Sequence, residues 1–451
     1  MLDRKIEKRM AKFFQESHSK ALLITGARQV GKTYSIRKFG QHNFVSFLEI
    51  NFLENQSARQ LFNQANNAQD LLLRLSSLVD GPLLPGKTLI FFDEVQECPE
   101  IVTAIKFLVE EGSYRYILSG SLLGVGLQDI RSLPVGYMDV WEMFPLDLEE
   151  FATSQHVSSQ TLAYLSSCYA ERRPVDELIH QQMLNLFHLY LVVGGMPAVV
   201  QSYVDTNNLR TVSQQQEAII NWYKQDIAKY DPHNKLYLEA IFQLIPAELN
   251  NQNKRFILKN LNENFKFSRY ANSFIWLEQA GVALPVYAVN EPAYPLLLHK
   301  SANLFKLFLS DVGLLAAMYG ANSQLEILKG NTHINFGSIY ENICAQELRA
   351  HGFELYYFQN KKQGEVDFLL EEQGELIPIE VKSGKAYQRH ASLDRLMNNP
   401  VYDFEEALVL SAENVEVIDR TSYLPIYMLM FIQKKQLPDH FIYQANISAL
   451  T

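Results

Sequence analysis

The chain has 451 residues, which at ~150 residues per domain corresponds to roughly three domains and excludes a peptide or a single small module. Hydrophobic residues make up 47% and charged residues 20% of the chain, a composition typical of a packed globular protein and not of a disordered one. Forty basic and 50 acidic side chains give a net charge of −10, so nucleic-acid binding by the whole surface is not expected and would require a local basic patch.

The cysteines and the N-terminal residues bear on the cellular compartment. Cys98, Cys168 and Cys344 show neither CxxC nor Cys/His spacing, so we expect no disulfide framework and no zinc site. Residues 1–20 are rich in charge and lack the apolar run of a signal peptide, and the longest apolar stretch, 189–200, is too short to span a bilayer. We therefore expect a cytoplasmic protein without a membrane segment.

A short apolar run, a glycine-rich turn and a helix-compatible stretch follow one another over residues 21–39. The turn, 26–33, reads GARQVGKT and has the phosphate-loop spacing GxxxxGK[ST]. Gly26 and Gly31 let backbone N–H groups face a polyphosphate at a helix N-terminus, Lys32 can reach the β- and γ-phosphates, and the Thr33 hydroxyl can ligate Mg²⁺. An ordinary glycine turn is the alternative. The preceding strand favours a loop that binds ATP with Mg²⁺ and is formed by Gly26, Ala27, Arg28, Gln29, Val30, Gly31, Lys32 and Thr33.

The next informative segment, 88–94, is a continuous apolar strand that ends in two carboxylates. Such a strand is typical of a parallel sheet that is covered on both faces. Asp93 is predicted to hold the Mg²⁺ shell, and Glu94 has the position of a base that polarises the attacking water. A solvated acidic pair at a strand end is the alternative.

A third short strand, over 114–118, closes on a hydroxyl-rich turn. Ser119 is the candidate for a catalytic residue that senses the γ-phosphate and orients the water, with Ser121 as its substitute, although a serine turn without a catalytic role gives the same pattern. A further strand over 44–51 and helical stretches over 56–79 and 99–111 complete an alternating pattern, which predicts a three-layer α/β fold with a parallel sheet.

Five segments together resemble the prokaryotic AAA-type ATPases that carry a restriction-endonuclease-like domain at the C-terminus: 26–33 (GARQVGKT), 91–96 (FFDEVQ), 119–121 (SGS), 132–136 (SLPVG) and 144–151 (FPLDLEEF). The resemblance implies a P-loop NTPase core over 1–150 and a helical lid over 151–230. Members of this family are mostly known only as ATP-binding proteins of undetermined role. A basic residue commonly follows the PVG segment in the family, where this chain has Tyr137, so Arg131 or Arg28 would have to supply any cationic contact to the γ-phosphate.

The middle of the chain is predicted to be helical up to about residue 230 and winged-helix-like over 231–300. Between 249 and 270 the basic side chains outnumber a single acid, Glu263, and aromatic residues lie between them. This segment is the best local candidate for contact with a DNA backbone, with a solvated helix face or a protein-interaction module as the alternatives. The basic residues are Lys254, Arg255, Lys259, Lys266 and Arg269.

Residues 301–451 contain the pattern of a second site. A helix over 337–348 is predicted to place Glu341 near its start, and strands over 355–358, 365–370 and 377–382 follow. A hairpin with its turn at 371–375 would bring Asp367 beside Glu380, and Lys382 lies on the same face as Glu380 because the two are two residues apart. This D…ExK constellation is that of restriction-endonuclease-like folds, in which Asp367 and Glu380, with Glu341, could hold Mg²⁺ while Lys382 steadies the water or the phosphate.

The sequence favours two functions, and a P-loop kinase is a weaker third because Glu94 indicates water as the acceptor. The first is a Mg²⁺-dependent ATPase that couples hydrolysis to a DNA-directed C-terminal domain with or without nuclease activity. The second is a nucleotide-dependent switch in which an inert nuclease-like scaffold acts on a protein partner. The sequence leaves open a homo-oligomer.

Overall fold

The computed structural model describes residues 2–16, 19–64, 68–77, 83–120, 136–230, 235–251, 254–257, 271–330 and 336–435. The chain forms an α/β unit at its N-terminal end, a helical middle part and a mixed α/β unit at its C-terminal end. No helix in these ranges is both long and apolar enough to cross a bilayer. Several predicted site residues lie outside the described ranges: Ser121, Arg131, Lys259, Lys266 and Arg269.

Five strands form the first sheet, and every strand pair in it is parallel. Their order across the sheet is β2-β3-β4-β1-β5. All residues of β1 and β3 are buried, because helices cover both faces of the sheet. The predicted parallel α/β fold is therefore confirmed. The strands are β1 Ala21–Thr25, β2 Ser46–Asn51, β3 Thr88–Asp93, β4 Arg115–Ser119 and β5 Met138–Glu142.

The helices of the N-terminal unit agree with the predicted alternation. Helix α5 ends where Gly112 adopts a φ of 80°, a left-handed conformation that glycine takes without steric cost. The helices are α1 Lys5–Glu16, α2 Lys32–Asn43, α3 Gln56–Gln64, α4 Ala68–Ser76 and α5 Glu100–Glu111.

The carboxyl ends of the parallel strands lie along one edge of the first sheet. Thr25, Asp93 and Ser119 are the last residues of β1, β3 and β4. In open α/β sheets, ligands bind in the crevice outside this edge. The topology thus places three predicted site segments side by side, although Thr25 and Asp93 are 68 positions apart in the chain and Asp93 and Ser119 are 26 apart.

Helices dominate the middle of the chain, as predicted. Helix α6 begins with a capping box in which the Asp147 side chain accepts from the Glu150 N–H group and the Glu150 side chain accepts from the Asp147 N–H group. The helices are α6 Leu148–Ser154, α7 Ser159–Ala170, α8 Glu177–Val193, α9 Pro197–Thr206, α10 Leu209–Tyr230, α11 Lys235–Asn250 and α12 Ala271–Gln279.

Two mixed sheets build the C-terminal unit. The second sheet has the order β7-β6-β8-β9, and the third has the order β10-β11-β12-β14-β13. The strands are β6 Ala283–Val289, β7 Lys300–Leu309, β8 Tyr356–Asn360, β9 Gly364–Val366, β10 Phe368–Glu372, β11 Glu375–Val381, β12 Ala407–Ser411, β13 Glu416–Ile418 and β14 Thr421–Pro425. The accompanying helices are α13 Val312–Met318, α14 Ala321–Leu328, α15 Phe336–Ala350 and α16 Ala391–Met397.

The strand predicted over 365–370 is divided in two by Asp367. Strand β9 pairs with β8 in the second sheet, and β10 pairs with β11 in the third. The antiparallel β10–β11 hairpin has Phe368 opposite Ile379, so the chain brings Asp367 beside Glu380 as the sequence predicts. The strand changes sheets at Asp367, whose carboxylate accepts a hydrogen bond from the Val381 N–H group at 2.9 Å.

One apolar core connects the middle helices with the C-terminal unit and runs from Leu146 to Ile432. The predicted boundary between residues 300 and 301 falls at the start of β7, and the strand predicted as the wing of a winged helix, β6, lies between β7 and β8 in the second sheet. Strand β6 is thus hydrogen-bonded on both sides, to β7 and to β8. The winged-helix-like prediction for 231–300 stays a prediction, because 258–270 lie outside the described residues.

Candidate functional site

The phosphate loop lies between β1 and α2. Gly26 has a φ of 144° and Gly31 a φ of 92°, values that few residues other than glycine adopt without strain. A side chain at Gly26 would also overlap the carbonyl oxygen of Met143. The two glycines are thus required both by the backbone and by the space around it.

Lys32 is buried at the start of α2 and is directed into the loop. Its Nζ donates hydrogen bonds to the carbonyl oxygens of Gly26 at 3.0 Å and Ala27 at 2.8 Å. Burial lowers the pKa of Lys32 to about 8, although the carboxylates of Glu94 and Asp93 oppose this shift. The loop therefore holds a buried amine close to the position where a polyphosphate would bind.

Asp93 is the centre of a hydrogen-bonded group at the sheet edge. Thr33 Oγ1 donates to Asp93 Oδ2 at 3.0 Å, Asn51 Nδ2 donates to the same oxygen at 3.2 Å, and Ser119 Oγ donates to Oδ1. Burial raises the pKa of Asp93, and the hydrogen bonds from Ser119 and Thr33 oppose the rise. A hydroxyl and a carboxylate at this spacing form an oxygen donor pair that suits Mg²⁺, so Thr33 and Asp93 fit the predicted metal role.

Glu94 follows in a left-handed backbone conformation with a φ of 56°. Its carboxylate accepts a hydrogen bond from the Gln96 side-chain amide. Glu94 is only half-buried, unlike Asp93. The adjacent carboxylates thus have different surroundings.

Several groups that contact the phosphate loop come from distant parts of the chain. Arg28 Nη1 lies 2.8 Å from Asp226 Oδ1 on α10, and the Tyr223 hydroxyl donates to the Arg28 carbonyl oxygen at 3.3 Å. Arg4 Nη1 donates to the Val30 carbonyl oxygen at 2.9 Å, while its Nε pairs with Glu150 at 3.1 Å.

The C-terminal unit also touches the loop. Gly281 has a φ of 67°, and a Cβ placed on it would lie 3.0 Å from the Cβ of Ala27. The phosphate loop therefore contacts both the helical middle part and the segment that leads into β6.

An apolar pocket lies beside Gly31. Its walls come from Leu2, from Tyr34 on α2, and from Pro197 and Ala198 at the start of α9. Arg4, Ser35 and Gln201 add polar groups to the lining.

Tyr137, Arg28 and Arg131 are the positions that the sequence analysis considered for a cationic contact to the γ-phosphate. The Tyr137 hydroxyl donates to Glu110 at 2.6 Å, and the Lys106 ammonium lies 5.3 Å from the centre of the Tyr137 ring. Arg28 is held by Asp226, as described above, and Arg131 lies outside the described residues.

The D…ExK residues come together in the C-terminal unit. Glu380 accepts a hydrogen bond from Lys382 Nζ at 2.7 Å and lies beside Asp367 in the hairpin register. Glu341, on α15, is fully buried and faces the same cluster. Burial and the neighbouring Asp367 raise the pKa of Glu380 to about 8.

A lysine that the sequence analysis did not single out lies among these carboxylates. Lys306 Nζ, on β7, is 3.0 Å from Glu341 Oε2, 2.8 Å from Glu365 Oε1 and 3.6 Å from Asp367 Oδ1. Burial alone would lower the pKa of Lys306, but Glu341, Asp367 and Glu365 outweigh it and raise the pKa. Over the described residues, no group of three or more His, Cys, Asp or Glu side chains is arranged to hold a metal ion. The residues present therefore do not fit the predicted C-terminal Mg²⁺ site.

Two predicted DNA contacts belong to this same cluster. Lys254 pairs with Glu341, and Arg255 Nη2 lies 3.4 Å from Glu365 Oε2. Lys254 has only 18% of its side chain exposed. This placement differs from the predicted DNA-facing surface, because the buried Glu341 and the partly exposed Glu365 pair with the two basic groups.

The sequence analysis assigned no site role to Asn51, Gln96, Asp226 or Lys306. Asn51 could have been found, because it ends β2 directly opposite Asp93 in the adjacent strand. Lys306 could also have been found, because it is the single charged residue within the apolar run 304–309. Asp226 shares a helical stretch with Trp222 and Tyr223, which is most simply interpreted as a packed helix face.

Three family profiles match separate parts of the chain. Residues 18–152 match an AAA domain, residues 184–325 match a domain of unknown function (DUF8612), and residues 336–429 match a domain of unknown function (DUF4143). No curated protein matches the chain.

Solved structures that match part of the chain include two archaeal proteins. The Walker-type ATPase paby2304 of Pyrococcus abyssi is 14% identical, with 71% of this chain and 96% of that chain covered and a TM-score of 0.42. The Orc1 protein of Aeropyrum pernix, solved in complex with DNA, is 11% identical, with 72% and 94% covered and a TM-score of 0.28. The AAA profile and the five-stranded parallel sheet coincide along the chain, and we conclude that residues 18–152 are an AAA-type P-loop ATPase domain.

Proposed function

We propose that this protein is a Mg²⁺-dependent ATPase that works as a nucleotide-dependent switch. The observation that carries the proposal is the 2.8 Å ion pair between Arg28, inside the phosphate loop, and Asp226 on α10. This ion pair connects the phosphate loop, which must rearrange around a polyphosphate, to a helix of the middle part. Nucleotide binding would therefore change the position of α10 and, through the shared apolar core, the packing of the C-terminal unit.

The residues of the loop and of the sheet edge have distinct roles in hydrolysis. Lys32 would leave the carbonyl oxygens of Gly26 and Ala27 to neutralise the β- and γ-phosphates, and Thr33 with Asp93 would hold the Mg²⁺. Bound Mg²⁺ would offset charge that develops on the phosphate oxygens. Glu94 would accept the proton of the attacking water as the bond to the leaving ADP oxygen breaks, and Ser119 would hold Asp93 in place through its hydrogen bond.

The apolar pocket beside Gly31 suits the nucleoside part of ATP. A flat base could pack against Leu2 and Pro197. Leu2 precedes the phosphate loop in the sequence, and Pro197 follows it. Since Pro197 begins α9, a base bound there would connect the N-terminal unit with the helical part. This geometry supports the helical part as the predicted lid.

For the C-terminal unit we propose a restriction-endonuclease-like arrangement that serves as a scaffold. The support is the element order α15, β8, β9 with β10, β11, α16 and β12, together with the hairpin that places Asp367 beside Glu380. Because lysine ammonium groups already pair with these carboxylates, we do not assign metal-dependent strand cleavage to the unit.

DNA contact is a second candidate function, favoured by the basic composition of 254–269 on an acidic protein. Lys254 and Arg255 face the carboxylate cluster, so Lys259, Lys266 and Arg269 would have to make the phosphate contacts. Affinity for duplex DNA should then fall steeply with salt, and replacing these three residues by alanine should reduce the salt slope by about three units. Lys254→Ala should leave the slope unchanged. Equal slopes for all variants would exclude this segment as the DNA contact.

The switch itself is tested by amide hydrogen exchange. Residues 209–230 should change their protection between the nucleotide-free and the ATP-bound states of the same Glu94→Gln variant. ATP turnover should be measured in parallel with and without DNA, RNA and Mg²⁺. Turnover that requires Mg²⁺ without any change in α10 would support the ATPase but reject the switch.

A further inference from the structure

The carboxylate cluster of the C-terminal unit is charge-balanced by its own side chains. Four acidic groups meet there from α15, β9, β11 and the β9–β10 junction, and four basic groups lie against them in the described residues. The acidic residues are Glu341, Glu365, Asp367 and Glu380; the basic residues are Lys254, Arg255, Lys306 and Lys382.

Lys306 is the central cation of this cluster. Its Nζ lies 2.8 Å from Glu365, 3.0 Å from Glu341 and 3.6 Å from Asp367, and the side chain is fully buried. The Lys306 ammonium donates a hydrogen bond to Glu341, and the negative charges of Glu365 and Asp367 also lie within ion-pair distance. A divalent cation in a protein is bound by the same type of oxygen ligands, with Mg²⁺ at about 2.0–2.1 Å from each.

The position of Lys306 is set by the fold. Strand β7 pairs with β6 over nearly its whole length, so its register fixes which residues turn inward. Lys306 lies opposite Val286, between the buried residues Phe305 and Leu307. A buried ammonium at this point is tolerated only because the carboxylates compensate its charge.

The D…ExK pattern predicts a divalent cation among these carboxylates, whereas the structure places the Lys306 ammonium there. We infer that the Lys306 ammonium stands where a divalent cation would bind, and that the C-terminal unit keeps its carboxylate cluster without a metal. Removing the ammonium while keeping the side-chain volume should therefore expose a site for a divalent cation that uses Glu341 and Asp367. One further ligand is at hand, since Glu380 Oε2 is buried and has no hydrogen-bond partner in the described part of the chain.

The test uses Mn²⁺ as the probe on the full, nucleotide-free chain, with bound and free Mn²⁺ measured by electron paramagnetic resonance. Wild type should bind no Mn²⁺ that depends on Asp367. Lys306→Met should gain one Mn²⁺ per chain, and Lys306→Met/Asp367→Asn should lose it again. Lys300→Met provides the matched control, because Lys300 is exposed on the same strand and lies over the Tyr287 ring.

Thermal unfolding provides a second measurement if Lys306→Met is strongly destabilised. Millimolar Mn²⁺ should then raise the melting temperature of Lys306→Met, but neither that of wild type nor that of the double variant. ATP hydrolysis at the N-terminal site reports whether each variant is folded, so failure of this inference and failure of the proposed ATPase are distinguishable. Mn²⁺ bound by wild type and lost in Asp367→Asn would overturn the inference, as would a Lys306→Met variant that is folded and gains no Mn²⁺.

Discussion

The guanidinium of Arg28 lies 2.8 Å from the carboxylate of Asp226, although 198 residues separate the two in the chain. The pair connects the third residue of the phosphate loop to α10, and both side chains are partly buried. If Arg28 turns towards the phosphates when ATP binds, the pair must break. A double-mutant cycle can measure this, because it isolates the interaction between two side chains from the effects of each replacement alone.

In the nucleotide-free protein, Arg28→Ala and Asp226→Asn should show a coupling of about 0.5–1 kcal/mol in the free energy of unfolding, a range typical of partly exposed ion pairs. With saturating ATP in the Glu94→Gln background, the coupling should approach zero. Glu217→Gln, on an exposed position of α10, is the control for changes of charge on that helix. The same coupling energy with and without ATP would mean that Arg28 stays with Asp226 in both states.

Variants of Lys32 and Glu94 should distinguish ATP binding from ATP hydrolysis. Lys32→Ala removes a charged contact to the phosphates and should weaken ATP binding roughly 10–100-fold, since hydrogen bonds to charged groups contribute about 1.5–3 kcal/mol. Glu94→Gln should bind ATP normally and hydrolyse it roughly 10²–10⁴-fold more slowly.

Titration calorimetry and steady-state turnover measure the two effects. Arg37→Ala, on the exposed side of α2, and Glu97→Gln, in the turn after Glu94, are the matched controls and should change neither quantity. Normal turnover in Glu94→Gln would remove Glu94 from the role of base.

ATP affinity should depend on pH through Lys32. Burial lowers the pKa of this amine to about 8 in the nucleotide-free protein, so it loses its proton as the pH rises through 8. The phosphates bind the ammonium form, and binding above pH 8 must therefore be accompanied by proton uptake. The affinity should be about 30-fold lower at pH 9.5 than at pH 7.

Lys32→Arg distinguishes this effect from general alkaline damage, because arginine stays charged throughout the range. The ATP affinity of Lys32→Arg should not change between pH 7 and pH 9.5, even if it differs from that of wild type. A wild-type affinity that is equally flat would show that Lys32 is already an ammonium ion with an ordinary pKa before ATP binds.

Gly281 tests the contact between the C-terminal unit and the phosphate loop. A methyl group there would lie 3.0 Å from the Cβ of Ala27, in a backbone conformation with a φ of 67°. Gly374 has a φ of 91° and no atom within 4 Å of its added Cβ. Gly374→Ala is therefore the control that introduces backbone strain without a steric contact.

Both alanine variants should lose about 1–2 kcal/mol of stability, but only Gly281→Ala should also weaken ATP binding. Chemical denaturation and nucleotide titration provide the two readouts. Unchanged ATP affinity in Gly281→Ala would mean that the loop accommodates the methyl group and that the contact does not transmit strain.

Much of the nucleotide site is readable from the sequence, because its chemistry depends on short spacings. Gly26, Gly31, Lys32 and Thr33 lie within eight residues, and the geometry of one turn at a helix start fixes where their polar groups go. The apolar strand before Asp93 likewise predicts a buried carboxylate at a sheet edge. The β10–β11 hairpin follows from the same kind of local information, since a two-residue turn determines which residues face each other.

The partners of these groups were decided by the tertiary structure. Nothing near Arg28 in the chain indicates Asp226, and nothing near Glu341 indicates Lys306, because such pairs form only when separate elements pack together. The basic residues Lys254 and Arg255 have the composition of a surface patch, yet the fold places them against the carboxylates of Glu341 and Glu365. A sequence pattern specifies which charges are present, whereas burial and the register of β7 determine which of them neutralise one another and which can bind an external ion.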